Sequence, residues 1–288
     1  VEEEQLELFA LSENGGEVME APALAPLAEI PQPPLHRVRR LSYSALSLFE
    51  QCSYRYFAER VVGLRARGAA GSVPGQEGLA ATEIGDAVHW LLERVDLRAP
   101  AAPEDVAEQV RARYPAATDE EIERIRAFVA AYCDSELAKR IAGLEGAAAE
   151  RPFAFEHDGV LLHGRLDVLQ LAGERALVVD YKTNWLDEEA PAEVVERDYR
   201  LQRLVYALAC FRAGAQEVEV VYQFLERPDD LVTSCYKVVE AAALEEELST
   251  AIAAINAGEF RPTPSEFACA DCPALDLVCA GPRLRNRG

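Results

Sequence analysis

The segment Gly164-Arg-Leu-Asp-Val-Leu-Gln-Leu-Ala-Gly-Glu-Arg-Ala-Leu-Val-Val-Asp-Tyr-Lys-Thr183 constrains the fold more than any other. Two runs rich in Val and Leu flank Ala172-Gly173-Glu174, the pattern of two strands joined by a tight turn. A turn centred near Gly173–Glu174 sets Asp167 opposite Asp180, with Cβ atoms roughly 5 Å apart. Side chains alternate along a strand, so Asp180 and Lys182 share a face. Two carboxylates and an ammonium therefore converge at the end of an apolar hairpin. Carboxylates that close repel unless a cation sits between them. Mg²⁺ prefers such oxygen ligands and keeps waters for chemistry, and a lysine beside it can orient a water or stabilise charge on a phosphate. The arrangement suits metal-assisted phosphodiester hydrolysis. The plainer alternative is a hairpin whose charged ends meet solvent.

The flanking chain divides by pattern. Residues 1–35 hold eight Glu and no Lys or Arg, and end in Ile30-Pro-Gln-Pro-Pro-Leu35, an acidic, Pro-rich linker expected to lead in from an upstream segment. Residues 36–150 read as a helical lobe. An opening helix starts at an Ser42 N-cap and runs through Leu46, Phe49 and Phe57 to Gly63. A Gly/Ala/Pro-rich loop fills 68–81. Helices follow around Ile84–Val95, 103–113 and 118–144. Residues 151–260 read as about five strands (153–156, 161–171, 175–182, 217–225, 231–239) with helices at 193–213 and 241–256, the last ended by Gly258. Residues 261–288 form a cysteine-bearing tail. The fold class is α/β, a mixed sheet flanked by helices.

Charge first argues against a nucleic-acid partner, because the 288 residues carry a net charge of −21. The average conceals unlike regions. From His36 to Arg67 there are seven Arg against Glu50 and Glu59, a local positive excess beside the opening helix. Acidity elsewhere predicts weak DNA affinity for the chain alone. No run of about 18 apolar residues suggests a membrane span. Seven cysteines are too sparse for a disulfide-stapled scaffold, which favours a reducing cytoplasm.

Together these motifs resemble the RecB-like branch of the PD-(D/E)XK nuclease superfamily. Gly164-x-x-Asp167 followed by Val179-Asp-Tyr-Lys-Thr183 is similar to its catalytic hairpin, and Gly85-Asp-Ala-Val-His89 to its G-x-x-x-H helix. Tyr199-Arg-Leu-Gln202-Arg-Leu-Val-Tyr206 is similar to its Q-x-x-x-Y helix, and Leu41-Ser-Tyr-Ser-Ala-Leu46 to its opening helix. The resemblance implies a restriction-endonuclease-like mixed sheet and Mg²⁺ or Mn²⁺ held by His89, Asp167, Asp180 and the Tyr181 carbonyl. It implies that Lys182 positions the attacking water, that Gln202 supports the site, and that Tyr206 contacts the site or the DNA. Glu156 reads as a surface strand residue, and His157 and His163 receive no role.

Cys269, Cys272 and Cys279 form a C-x2-C-x6-C pattern, one ligand short of a tetrahedral site. The resemblance implies a [4Fe–4S] cluster completed by Cys52 in the opening helix. The family's commoner second gap is five residues, so zinc or no metal remains open. Cys133, Cys210 and Cys235 read as core.

The leading expectation is a metal-dependent deoxyribonuclease, exonuclease before endonuclease. It would form the C-terminal part of a helicase–nuclease of double-strand-break repair, with DNA and an attached or partner helicase module as partners. Arg37, Arg39, Arg40, Arg55 and Arg60 would steer DNA, with Tyr54 and Tyr56 free to stack on bases. A non-catalytic DNA clamp and a metal-stapled protein-interaction domain are the alternatives.

Overall fold

Two tight turns set the sheet. Asp158 and Gly159 both adopt left-handed backbone, φ 49° and 73°, the combination whose twist matches the flanking strands. They join β2 (Ala148–His157) to β3 (Val160–Ala172). Gly173, φ 58°, turns β3 into β4 (Arg175–Lys182). A computed structural model describes residues 37–65, 78–269 and 272–282. The acidic leader, Arg67, loop residues 68–77 and the tail beyond 282 lie outside the described residues.

The sheet has six strands in the order β1-β3-β4-β5-β6, with β2 also paired to β3. β5 (Glu217–Phe224) runs parallel to β4, and β6 (Val232–Lys237) antiparallel to β5. The unexpected strand is β1 (Arg40–Ser42), parallel to β3. It ends on Ser42, the residue that caps the opening helix, where the sequence pattern predicts no strand. Residues 36–150 thus give the sheet β1 and the start of β2 as well as helices.

β1 and β4 share one edge of β3. β1 covers Leu161–His163, and the β4 ladder resumes only at Val168↔Val179. Gly164 to Asp167 are left between them without a strand partner on that edge. Here the pleat also turns over. Leu166 packs with Val195, Tyr206 and Ala207, whereas Val168, two residues on, packs in the opposite layer with Leu91 and Ile125.

Helices cover both faces. α3 (Ala81–Leu92), α4 (Val106–Arg113), α5 (Asp119–Asp134) and α6 (Glu136–Ala142) bury Leu91, Val110, Ile125 and Ile141 against Val168, Val179 and Val221. The expected helix over 118–144 is interrupted at Ser135, whose hydroxyl caps α6 by accepting from Ala138 N. On the other face lie α1 (Tyr43–Gln51), α7 (Pro191–Asp198), α8 (Arg200–Arg212) and α9 (Ala241–Ala257). Left-handed Gly258 ends α9.

Two expected helices are broken near functional residues. The opening helix keeps its cap, with Ser42 Oγ accepting from Ala45 N at 3.2 Å. It then breaks at Cys52, φ −159°, before α2 (Ser53–Tyr56) and a π-helical turn over Phe57–Val61. The helix expected over 193–213 is divided at Tyr199 into α7 and α8. Cys133 and Cys210 are buried, but Cys235 is exposed. It lies on edge strand β6, where alternate side chains face solvent.

Candidate active site

The uncovered stretch of β3 is where the chemistry collects. With no ladder partner, the backbone N–H of Tyr181 donates instead to Asp167 Oδ2 at 2.8 Å. Carbonyls alternate along a strand, and Lys182 O already accepts from Leu225 N on the β5 side. The Tyr181 carbonyl therefore faces the gap. Asp167 Oδ1 meets His89 Nδ1 of α3 at 3.3 Å.

Two glycines permit this approach. A Cβ on Gly85 would come to 3.2 Å from Thr183 Oγ1, so the bare position leaves α3 room beside the end of β4. A Cβ on Gly164 would lie 2.9 Å from the rings of both Tyr43 and Phe153. Tyr43, the first residue of α1, roofs the gap and stands edge-on to Tyr206 with ring centroids 5.7 Å apart.

Asp180 faces the α8 layer and is 1 % exposed. Its Oδ2 accepts from Gln202 Nε2 at 3.0 Å and from the Tyr206 hydroxyl at 2.8 Å, while Oδ1 meets Lys182 Nζ at 2.5 Å. Gln202 Oε1 accepts from the same ammonium at 3.1 Å. The Tyr199 ring lies 4.1 Å from Nζ and that of Tyr222 lies 5.5 Å away, a cation–π cradle. The break at Tyr199 sets α8 so that Gln202 and Tyr206, one turn apart, point at one carboxylate.

Electrostatics follow from burial and pairing. Burial pushes the Asp180 carboxyl up, Lys182 opposes it, and Asp167 adds to the rise. Lys182 itself is raised above its ordinary value, Asp180 outweighing the cost of burial. For this pair the contacts decide. A carboxylate flanked by two donors and an ammonium uses every partner only when ionised. Asp167 is lowered despite burial, chiefly by His89, then by Lys182 and the Tyr181 N–H. His89 is raised to about 9, because the Asp167 carboxylate outweighs desolvation. Burial, then nearby Asp180, lifts Tyr43 to about 12.

A further carboxylate joins these groups. Glu150 of β2 lies between the pairs Ala149↔Val168 and Arg151↔Leu166, which sets it opposite Asp167. Its backbone is left-handed, φ 49°, a conformation that costs a non-glycine residue roughly 1–2 kcal/mol. Ligand atoms of His89, Glu150 and Asp167 lie within 4.8 Å of one another. Burial, then Asp167, raises the Glu150 carboxyl. A buried carboxylate, a half-buried second and an imidazole around one gap are a donor set for a hard divalent cation, with Asp180 beside them tied to Gln202, Tyr206 and Lys182, and the residues present fit such an ion.

The remaining candidates fall elsewhere. Glu156 is exposed, and His157 is tied to α9 through Ser249 Oγ at 2.8 Å. Arg37, Arg39, Arg40 and Arg60 are exposed. Arg55 turns inward, to Glu59 at 2.6 Å and the Ala268 carbonyl at 3.1 Å. Tyr56 is 2 % exposed, packed on Phe49 and Phe260, and has no open face for a base, contrary to expectation. The break at Cys52 directs its thiol to the tail, where Sγ accepts from Thr263 N at 3.4 Å. Cys279 Sγ accepts from Gly281 N at 3.4 Å, and Cys52 contributes to the raised Cys272 thiol after burial. All seven cysteines are free thiols. No helix among the described residues is long and apolar enough to cross a membrane.

A solved structure from Eubacterium rectale, provisionally assigned as an exonuclease, superposes with a TM-score of 0.50 at 13% identity, covering 84% of this chain and 90% of that one. The structure of SSO0001 matches with a TM-score of 0.34 at 15% identity, over 69% of this chain and 95% of that one. No curated protein sequence matches. A mixed sheet flanked by helices, with acidic residues and lysine at its opened edge, is the restriction-endonuclease-like arrangement. The sequence profile of the PD-(D/E)XK nuclease superfamily matches residues 40–279, and the chain belongs to that superfamily.

Proposed function

We propose that this chain is a divalent-metal-dependent deoxyribonuclease of the RecB-like branch. The observation that carries the reading is the gap on β3, where His89, Glu150, Asp167 and the Tyr181 carbonyl meet beside the Asp180–Lys182 pair. His89, Asp167, Asp180, the Tyr181 carbonyl and Glu150 would hold Mg²⁺ or Mn²⁺. Such an ion neutralises charge on the phosphate and supplies a polarised water. Lys182 orients water and offers positive charge to the phosphate, held in place by Asp180 and Gln202. Gln202 and Tyr206 fix Asp180. Exposed Arg37, Arg39, Arg40 and Arg60 beside the opening strand give DNA a local landing surface, while Arg55 clasps the tail.

Cys52, Cys269, Cys272 and Cys279 suit a [4Fe–4S] cluster, and the N–H groups directed at Cys52 and Cys279 sulfur are the donors such thiolates use. A chain this acidic needs DNA delivered to it, which supports attachment to a helicase in break repair and exonucleolytic action on unwound ends. The test incubates single-stranded and duplex DNA with Mg²⁺ or Mn²⁺ beside Asp180→Ala and Lys182→Ala. Wild type cuts and both variants fall by at least about 100-fold; equal activity in all three overturns the reading.

A further inference from the structure

Trp185 presents an apolar ring to solvent just beyond the catalytic strand, 63% exposed. Its neighbours are pinned. Asn184 Nδ2 donates to the Tyr199 hydroxyl at 2.7 Å, the same Tyr199 whose ring carries Lys182. Leu186 is buried, and its N–H donates to Glu226 Oε2 at 2.7 Å. The indole is thus held out between two fixed residues. Three residues of chain separate it from Lys182, at most about 10 Å, the reach of a neighbouring nucleotide.

The Arg124 guanidinium of α5 lies 4.5 Å from the Trp185 ring centroid. A cation on one face steadies the ring and leaves the opposite face to solvent. The chain's other tryptophan differs. Trp90 is half-buried beneath Arg94 at 4.1 Å and Arg113 at 5.1 Å. Glu121, one turn before Arg124, accepts from Leu79 N just ahead of α3 at 2.7 Å, and Gly85 of α3 lies against Thr183, which sets the Trp185–Arg124 pair beside the end of the catalytic strand. An open aromatic face beside a guanidinium offers a base something to stack on and its phosphate a cation. Duplex bases are already stacked on one another, so an unpaired base is the occupant this surface fits.

We propose that Trp185, backed by Arg124, is a stacking platform for an unpaired base next to the reacting phosphate, which makes the site selective for single strands. The inference rests on the nuclease reading and names the substrate form that reading leaves open.

The full chain is titrated with a fluorescein-labelled thymidine dodecamer and with blunt duplex, at low salt with EDTA. Trp185→Ala weakens single-strand binding about 5- to 100-fold, while Trp185→Phe, which keeps an aromatic face, stays within about threefold. In Trp90→Phe, where Trp185 is the remaining tryptophan, the strand quenches emission. Unfolding midpoints within experimental error of wild type show that the variants fold. Unchanged binding by Trp185→Ala, or an equal loss for blunt duplex, overturns the proposal; the first result points to a protein partner for this surface. Wild type that cuts DNA while Trp185→Ala binds normally removes this inference alone. Wild type that neither binds nor cuts removes the nuclease reading and this one with it.

Discussion

Glu150 and Asp167 face each other across the β2–β3 ladder at the point where the strands turn over. The left-handed backbone at Glu150 swings a strand carboxylate into the gap that β1 and β4 leave on β3. Strain of this kind persists where surrounding structure holds it, and here it accompanies a ligand cluster. Glu150→Gln keeps the shape and removes the charge. Mn²⁺ binding, followed by calorimetry, weakens about tenfold or more, and the metal-free protein loses no stability because a like charge beside Asp167 is gone. Glu150→Gly loses metal affinity equally while tolerating the left-handed backbone. Wild-type affinity in both variants removes Glu150 from the site.

His89 supplies a pH dependence of definite sign. Its pKa rises in the folded chain from 6.5 to about 9, the pull of Asp167 exceeding the desolvation cost. The ion pair therefore stabilises the metal-free protein fully below about pH 6.5 and loses that contribution as pH climbs through about 9. Metal binding needs the neutral imidazole, so it releases a proton and strengthens with pH over the same window. Urea midpoints of wild type and His89→Gln, measured with EDTA from pH 6 to 10, converge upward in pH. Parallel curves would contradict the assignment.

The sequence disclosed the β3–β4 hairpin because its turn and alternation are local. The structure keeps the expected register in Val168↔Val179 and Leu169↔Val178, but the ladder ends there, one pair short of Asp167 and Asp180. Glu150 was legible by the same method. The turn at Asp158-Gly159, carried back along β2, pairs it with Asp167, but the strand was ended at Phe153 and Glu156 was weighed instead. β1 was not legible, since three residues that end on a helix cap carry no periodicity and pair only with the distant β3. The breaks at Cys52 and Tyr199 were hidden for a related reason. Neither residue is a helix breaker, and the bends are imposed by contacts with Thr263 and Asn184 far along the chain or across the fold.

The two motif glycines rank by what a methyl group would strike. At Gly164 it meets two aromatic rings at 2.9 Å, and at Gly85 a single hydroxyl at 3.2 Å. Gly164→Ala costs about 1–3 kcal/mol in urea unfolding, since Tyr43 or Phe153 must move within a packed layer. Gly85→Ala costs less than about 1 kcal/mol, because Thr183 can rotate, yet it pushes His89 from Asp167 and weakens Mn²⁺ binding. Reversal of that order in stability would falsify the packing account.

Gln202 bridges both members of an ion pair, donating to Asp180 and accepting from Lys182. Gln202→Leu leaves a buried carboxylate one donor short and an ammonium one acceptor short, at a cost of about 1–3 kcal/mol. Tyr206→Phe removes one donor to the same oxygen and costs about 1 kcal/mol. Because both act on Asp180, the double variant departs from additivity by about 0.5 kcal/mol or more. Catalysis separates positioning from folding: kcat falls in Gln202→Leu and recovers in part in Gln202→Asn, with KM little changed. Strict additivity, or a KM effect alone, would show that the residue only fills space.

Ser53 and Arg55 bring together the start and end of the domain. Ser53 Oγ donates to the Arg261 carbonyl and accepts from its N–H, and Arg55 reaches the Ala268 carbonyl. These contacts hold the tail against the broken opening helix, with Cys52 turned toward it. The proposed cluster would close a loop spanning most of the domain, where loss of a crosslink frees the most chain entropy. Protein prepared without oxygen is expected to be coloured by broad visible absorbance, with iron and sulfide in cluster proportion. Cys272→Ser loses the colour, unfolds at lower temperature and becomes sensitive to proteolysis in the tail. It still binds Mn²⁺ at the β3 gap while folded, since no cysteine belongs to that ligand group. A colourless protein with stoichiometric zinc would replace the cluster by a tetrahedral zinc site, and a metal-free protein of unchanged stability would leave the clasp to hydrogen bonds alone.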